Sequence, residues 1–153
     1  MVVDIYRELS ALVSLLEEQR IEYALCGGIA LAVHGAPRAT QDIDLLVRAG
    51  ELSRLRQVAR ESGFVFESLP MEFSASGVTV YRFTKLIENV PLMLDALIAD
   101  GPLAAVWQTR QSFPFEGGTL HVVSREGLIT MKLAAGRPQD VADVRRLSEV
   151  GRG

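Results

Sequence analysis

The chain has 153 residues, 48% of them apolar, and a formal net charge of −3. That length and apolar share suit one compact core and leave little room for two domains, and the acidic balance excludes nucleic-acid binding through an overall basic footprint. The single cysteine, Cys26, cannot close an internal disulfide and lies in an apolar run, which reads as a core residue in a reducing compartment.

Asp4 to Gln19 places Ile5, Leu9, Leu12, Val13, Leu15 and Leu16 at the spacing of a helix with one buried face. Charges scattered through this stretch make it neither a signal peptide nor a membrane span, so a cytoplasmic protein without a membrane partner is expected. "IEYALC" (21–26) reads as a strand, "GIALAVHG" (28–35) as a short helix opening at the glycines, and "DIDLLV" (42–47) as the next strand. Glu51 to Ser62 is helical and stops at Gly63. "FVFESL" (64–69), "VTVYRFTKL" (78–86) and "VPLMLDALIA" (90–99) are strands rich in β-branched and aromatic residues. "FPFEGGTLHVV" (113–123) predicts a hairpin turning at Gly117 and Gly118. Ser124 is the N-cap of a helix over "REGLITMKLAAG" that Gly136 ends, and Pro138 opens a last helix. The expected fold is α/β (α+β): a mixed β-sheet flanked by helices, one domain over 1–153, with a core near 21–100 and a C-terminal hairpin and helices over 113–150.

The chemistry concentrates in "CGGIALAVHGAPRATQDIDLLV" (26–47). Residues i and i+2 of a strand share a face with Cα atoms roughly 6.5 to 7 Å apart. Asp42 and Asp44 therefore project side by side, while Ile43 and Leu45 face apolar surroundings. Two such anions raise each other's pKa unless a cation lies between them, and their hard oxygens suit magnesium. Gly27 and Gly28, closing a strand and opening a helix, leave backbone N–H groups facing outward as a phosphate cradle. Arg38 and Thr40 sit on the loop just before the aspartates, where a guanidinium and a hydroxyl reach the same phosphates. His34 reads as the end of the short helix, His121 as structural or solvated, and neither has zinc-like spacing. Arg145 and Arg146 read as a solvated face.

Gly-Gly, a spacer of thirteen residues and Asp-x-Asp between apolar residues resemble the signature of the DNA polymerase β-like nucleotidyltransferase superfamily. Its third carboxylate usually comes from a later strand, where Asp95 stands alone among aliphatic residues. The C-terminal "SREGLITMKLAAGRPQDVADVRRL" resembles small bacterial members, including the abortive-infection toxin branch, with Lys132, Arg137, Asp140 and Asp143 at the matching positions. From the residues alone Lys132 either snorkels to water or points into the cleft, and Asp140 and Asp143 suit a salt-bridged surface as well as a site.

The resemblance implies an enzyme that transfers a nucleoside monophosphate from an NTP to an acceptor hydroxyl, with two magnesium ions held by Asp42, Asp44 and Asp95. It implies Gly27, Gly28, Arg38, Thr40 and Lys132 as nucleotide-binding residues and Asp95 as candidate base. Many relatives carry Ser where this chain has Gly28, which leaves backbone contacts only. The expected partners are a tRNA or protein acceptor, an antitoxin and a second copy of the chain. Two other readings stand beside the toxin: an aminoglycoside-type antibiotic nucleotidyltransferase, marked by an apolar, acid-lined second pocket, and a non-catalytic nucleotide- or partner-binding module.

Overall fold

A computed structural model describes residues 3–150. Helix α1 (Ile5–Glu18) starts where the Asp4 carboxylate accepts the Arg7 N–H at 3.1 Å, and it buries Leu9, Leu12, Val13 and Leu16. Strand β1 (Ala24–Cys26) is shorter than the apolar run suggests, although Ile21 and Tyr23 are buried with it. It runs directly into α2 (Gly27–Val33), which His34 closes as expected. β2 (Asp42–Val47) and α3 (Leu52–Glu61) follow as read from the sequence.

The middle of the chain is more broken than its composition suggests. "FVFESL" yields only the two-residue β3 (Phe66–Glu67), and β4 (Met71–Phe73) was not anticipated. Both pair with the same edge of β5 (Val78–Ile87), which turns tightly into β6 (Val90–Ile98). That turn, Glu88–Asn89, has positive φ at both residues, the backbone that a two-residue hairpin needs. A short helix α4 (Ala104–Gln108), also unanticipated, buries Val106 and Trp107. β7 (Gln111–Phe115) and β8 (Gly118–Val122) form the expected hairpin, turning at Glu116 and Gly117, one residue before the position expected. Helix α5 (Arg125–Ala135) is capped by Ser124 Oγ, which accepts the Gly127 N–H at 3.0 Å, and ends at left-handed Gly136. α6 (Pro138–Val150) begins at Pro138.

The eight strands make one mixed sheet in the order β3-β5-β6-β2-β1-β8-β7, with β4 beside β5. β2 runs parallel to β6, and β1 to β8; the other pairs are antiparallel. Alternation on β2 sends Ile43, Leu45 and Val47 into the core, all fully buried, and Asp42 and Asp44 to the opposite face. No helix among the described residues is long and apolar enough to cross a membrane.

Candidate active site

Sheet register places the acidic residues in one line. Cys26 on β1 pairs with Asp44 on β2, Asp44 with Asp95 on β6, and Asp95 with Arg82 on β5. Residues paired across neighbouring strands share a face about 4.8 Å apart. The row Cys26–Asp44–Asp95–Arg82 therefore forms a floor, with Asp42 two residues along. Asp44 is pushed up to about 7, first by burial and then by the charges of Asp95 and Asp42. Burial and the Asp95 charge also raise Asp42, whose Oδ1 is buried without a hydrogen-bond partner. Burial, then the Asp44 charge, raise the Cys26 thiol, which lies in the core as its sequence context implied.

Asp95, 6% exposed, gives both oxygens to Arg82: Nε donates to Oδ1 at 2.8 Å and Nη2 to Oδ2 at 2.9 Å. As the side chains stand, no three His, Cys, Asp or Glu groups among the described residues gather around a metal-sized point. The donor set nonetheless fits a hard divalent cation. Asp42 and Asp44 are crowded, under-neutralised oxygens, one of them an orphaned acceptor, and Asp95 lies in register beside them.

The glycines crowd against this floor. Gly27 has φ of +68°, and a Cβ there would fall 2.1 Å from Asp44 Oδ2, so both backbone and space demand glycine. A Cβ on Gly28 would lie 2.6 Å from Thr40 Oγ1 and 2.8 Å from Thr40 Cβ. The space a serine would use at that position is filled by Thr40. A hydroxyl thus still stands at the opening of α2, supplied by the loop; the Asp42 N–H donates to it at 3.5 Å.

The C-terminal residues form a second charge cluster. Asp140 and Asp143 are 0% and 1% exposed, so they are a buried pair and not a surface face. Lys132, also buried, lies 3.3 Å from Asp140 and 3.0 Å from Asp143. Arg38 reaches across from the loop before β2 to grip both oxygens of Asp143, at 3.1 and 3.2 Å, and Arg137 caps Asp140 at 2.7 Å. Burial works against both carboxylates, but the Arg137 hydrogen bonds hold Asp140 low, and those of Arg38 and Lys132 hold Asp143 low. Lys132 is therefore turned inward, and Arg38 is no free loop charge. Arg146 donates to the Pro37 carbonyl, while Arg145 is exposed. His34 Nε2 lies 2.8 Å from the Val123 carbonyl and His121 Nδ1 lies 3.0 Å from Ser112 Oγ, structural roles for both.

Between floor and cluster runs a cleft of about 470 Å³. Gly27, Gly28, Arg38, Asp42, Asp44, Asp95, Lys132 and Arg137 line it, as do Met71, Phe73, Val78, Val80 and Leu97, which the sheet register places beyond the Arg82–Asp95 pair. Two features escaped the sequence. Arg82 was legible only through its alternation with Val78 and Val80 along β5, a charge on an otherwise apolar cleft-facing row. Met71 and Phe73 depend on β4, whose three residues carry no periodic signal.

A Thermotoga maritima protein reported as a candidate nucleotidyltransferase superposes with a TM-score of 0.68 at 16% identity, covering 97% of this chain and 96% of that one. The lincosamide antibiotic adenylyltransferase LnuA gives 0.64 at 16% identity, over 97% and 98%. The antibiotic-resistance enzyme ANT(2")-Ia, bound to adenylyl-2"-tobramycin, gives 0.62 at 16% identity, over 95% and 88%. These likenesses establish the shared fold. No curated protein matches the sequence closely enough to count as a relative. The family model described as nucleotidyl transferase AbiEii toxin, type IV toxin–antitoxin system, matches residues 10–152. With nearly the whole sequence matched, the chain belongs to the AbiEii family of nucleotidyltransferase toxins.

Proposed function

We propose that this nucleotidyltransferase moves a nucleoside monophosphate from an NTP to the hydroxyl of a tRNA or protein acceptor, as the toxin of a pair held in check by an antitoxin. One observation carries the reading: the cleft is split into halves of opposite charge. On the floor three carboxylates, Asp42, Asp44 and Asp95, face one cation, Arg82. In the C-terminal cluster two carboxylates, Asp140 and Asp143, face three cations, Arg38, Lys132 and Arg137. A divalent cation bound with a polyphosphate is complementary to that pair of surfaces, cation to floor and phosphates to cluster.

Asp42, Asp44 and Asp95 would hold the cation, magnesium by its preference for hard oxygens. When bound it supplies charge neutralisation at the phosphates. The chain's own residues do the rest. Backbone N–H groups of Gly27 and Gly28, with the Thr40 hydroxyl, contact the phosphates. Arg38, Lys132 and Arg137 balance their charge and orient the α-phosphorus toward the acceptor. Asp95 takes the proton of the attacking hydroxyl as pyrophosphate leaves. The cleft end beyond Arg82 is bordered by Met71, Phe73, Val78, Val80 and Leu97, a wall without the carboxylates that a polycationic aminoglycoside calls for.

The test incubates the protein with magnesium and each α-labelled NTP in the presence of total tRNA, cell lysate or an aminoglycoside panel. Label transferred by the wild type and lost in Asp44→Asn is expected, on tRNA or protein. Label on a drug would move the reading to antibiotic modification, and no transfer with any acceptor would leave a non-catalytic module.

A further inference from the structure

The floor is acidic, yet its third carboxylate already has a partner. Arg82 holds Asp95 through two parallel hydrogen bonds of 2.8 and 2.9 Å, the fork geometry that makes arginine–carboxylate pairs strong. This bond and the surrounding carboxylates of Asp95, Asp42 and Asp44 raise the affinity of the guanidinium for its proton, so it is a permanent charge. Its side chain is 35% exposed and borders the cleft, whereas the Asp95 side chain is 8% exposed. The carboxylate is fixed by the sheet and the guanidinium has somewhere to go.

The remaining two carboxylates are left short of positive charge. Lys132 and Arg38 lie in the same cleft, but both are committed to Asp143. While no cation is bound, Arg82, one strand beyond Asp95, is the first source of relief for Asp42, and for Asp44 it adds to that of Lys132.

We infer that Arg82 is an internal counter-ion that stands in for the divalent cation: it holds Asp95 while the site is empty and competes with the cation for that carboxylate. The inference rests on the reading that Asp42, Asp44 and Asp95 hold a metal ion, and it assigns Arg82 a positioning role, acting through Asp95. Two consequences follow. Arg82 weakens cation binding in the absence of nucleotide, because the cation must displace it from Asp95 and bind against its charge. It also supports the metal-free fold, because without it Asp95 loses its ion pair and the three carboxylates keep only the charges of Lys132 and Arg38, both bonded to Asp143.

The experiment titrates Mn2+ alone, without nucleotide, into wild type, Arg82→Met, Arg82→Lys and Arg38→Met, following free Mn2+ by electron paramagnetic resonance and the melting temperature of each protein with and without Mn2+. Methionine keeps the apolar stem against the sheet, and lysine keeps the charge. Arg38→Met removes the same charge from the cleft without touching Asp95. Arg82→Met is expected to bind Mn2+ on the order of tenfold more tightly than wild type. It should melt lower than wild type without the ion and recover more of its melting temperature when the ion is added. Arg82→Lys and Arg38→Met should bind within about threefold of wild type.

Equal Mn2+ affinity in wild type and Arg82→Met overturns the inference. So does an equal gain in Arg38→Met, which makes the effect one of general charge. A loss of stability in Arg82→Met that Mn2+ restores no better than in wild type shows a purely structural bridge. Absence of Mn2+ binding in all four proteins removes the metal reading itself, and this inference with it.

Discussion

Asp44→Asn should make the metal-free protein more stable while removing its transfer activity. Burial, then the charges of Asp95 and Asp42, push Asp44 from its ordinary 3.8 up to about 7. A carboxylate raised in the folded state favours folding only while it is protonated. Its contribution is fully present below the unfolded value and is lost as pH rises through about 7. At about 1.4 kcal/mol per pH unit the whole span amounts to about 4 kcal/mol, of which about 1.4 kcal/mol falls between pH 6 and pH 8. Asparagine has nearly the same shape and cannot ionise, so it escapes this cost. Urea denaturation in the presence of a chelator, at pH 6 and pH 8, should find the variant more stable at both. The gap should widen by about 1.4 kcal/mol at the higher pH. Taking the difference between the two proteins cancels the histidines, which titrate in the same window. Added magnesium at pH 8 should stabilise the wild type and narrow the gap. A gap that stays constant with pH, or a variant less stable than wild type at pH 8, would mean that folding does not raise the Asp44 carboxyl.

The C-terminal cluster predicts the opposite response to losing a charge. Lys132→Met removes the cation that buried Asp140 and Asp143 share and leaves each only its own arginine, which should cost about 1 to 3 kcal/mol in urea denaturation at pH 7. Since both carboxylates are held low in the fold, the stability they lend is present at neutral pH and disappears as pH falls through the acid range. At the opening of α2, Gly28→Ser should cost about 1 to 3 kcal/mol by driving Cβ into Thr40, and Thr40→Gly in the same chain should recover part of it. Strict additivity of the two changes in a denaturation cycle would show that the side chains do not meet.

Elements with local signals were legible in the sequence. Asp4, Ser124, Gly136 and Pro138 each mark a helix boundary through a hydrogen bond, a left-handed cap or a fixed φ within a few residues, and each boundary lies where it was read. The pairing of Asp42 with Asp44 followed from strand alternation alone. β4 and α4 were not legible, and β3 is far shorter than the strand read over 64–69, because two-, three- and five-residue elements exist through contacts with β5 and α5, not through any pattern of their own. The site divides in the same way. Arg38 and Asp143 are 105 residues apart, and Arg82 and Asp95 meet only because the Glu88–Asn89 turn sets their register. A sequence displays each charge, but it does not display which opposite charge long-range folding will bring to it.

The two charge clusters can also be weighed against each other as structural devices. The Arg38–Asp143–Lys132–Asp140–Arg137 cluster joins the loop before β2 to α5 and α6, and its five charges satisfy one another in ion pairs of 2.7 to 3.3 Å. It would hold the C-terminal helices against the sheet whatever the protein did. On the floor the Arg82–Asp95 pair ties β5 to β6, but Asp42 and Asp44 have no comparable structural use. Asp44 sits on a central strand between Cys26 and Asp95, where an apolar residue would extend the core, and instead carries a carboxylate held near 7 beside an unpartnered oxygen of Asp42. Gly27 is confined to glycine by that same carboxylate, so two positions bear its cost. A sheet retains such an arrangement when a ligand absent from the free protein relieves it. This supports the proposed division of labour, in which the floor would take a cation while the cluster braces the fold and would receive the anion.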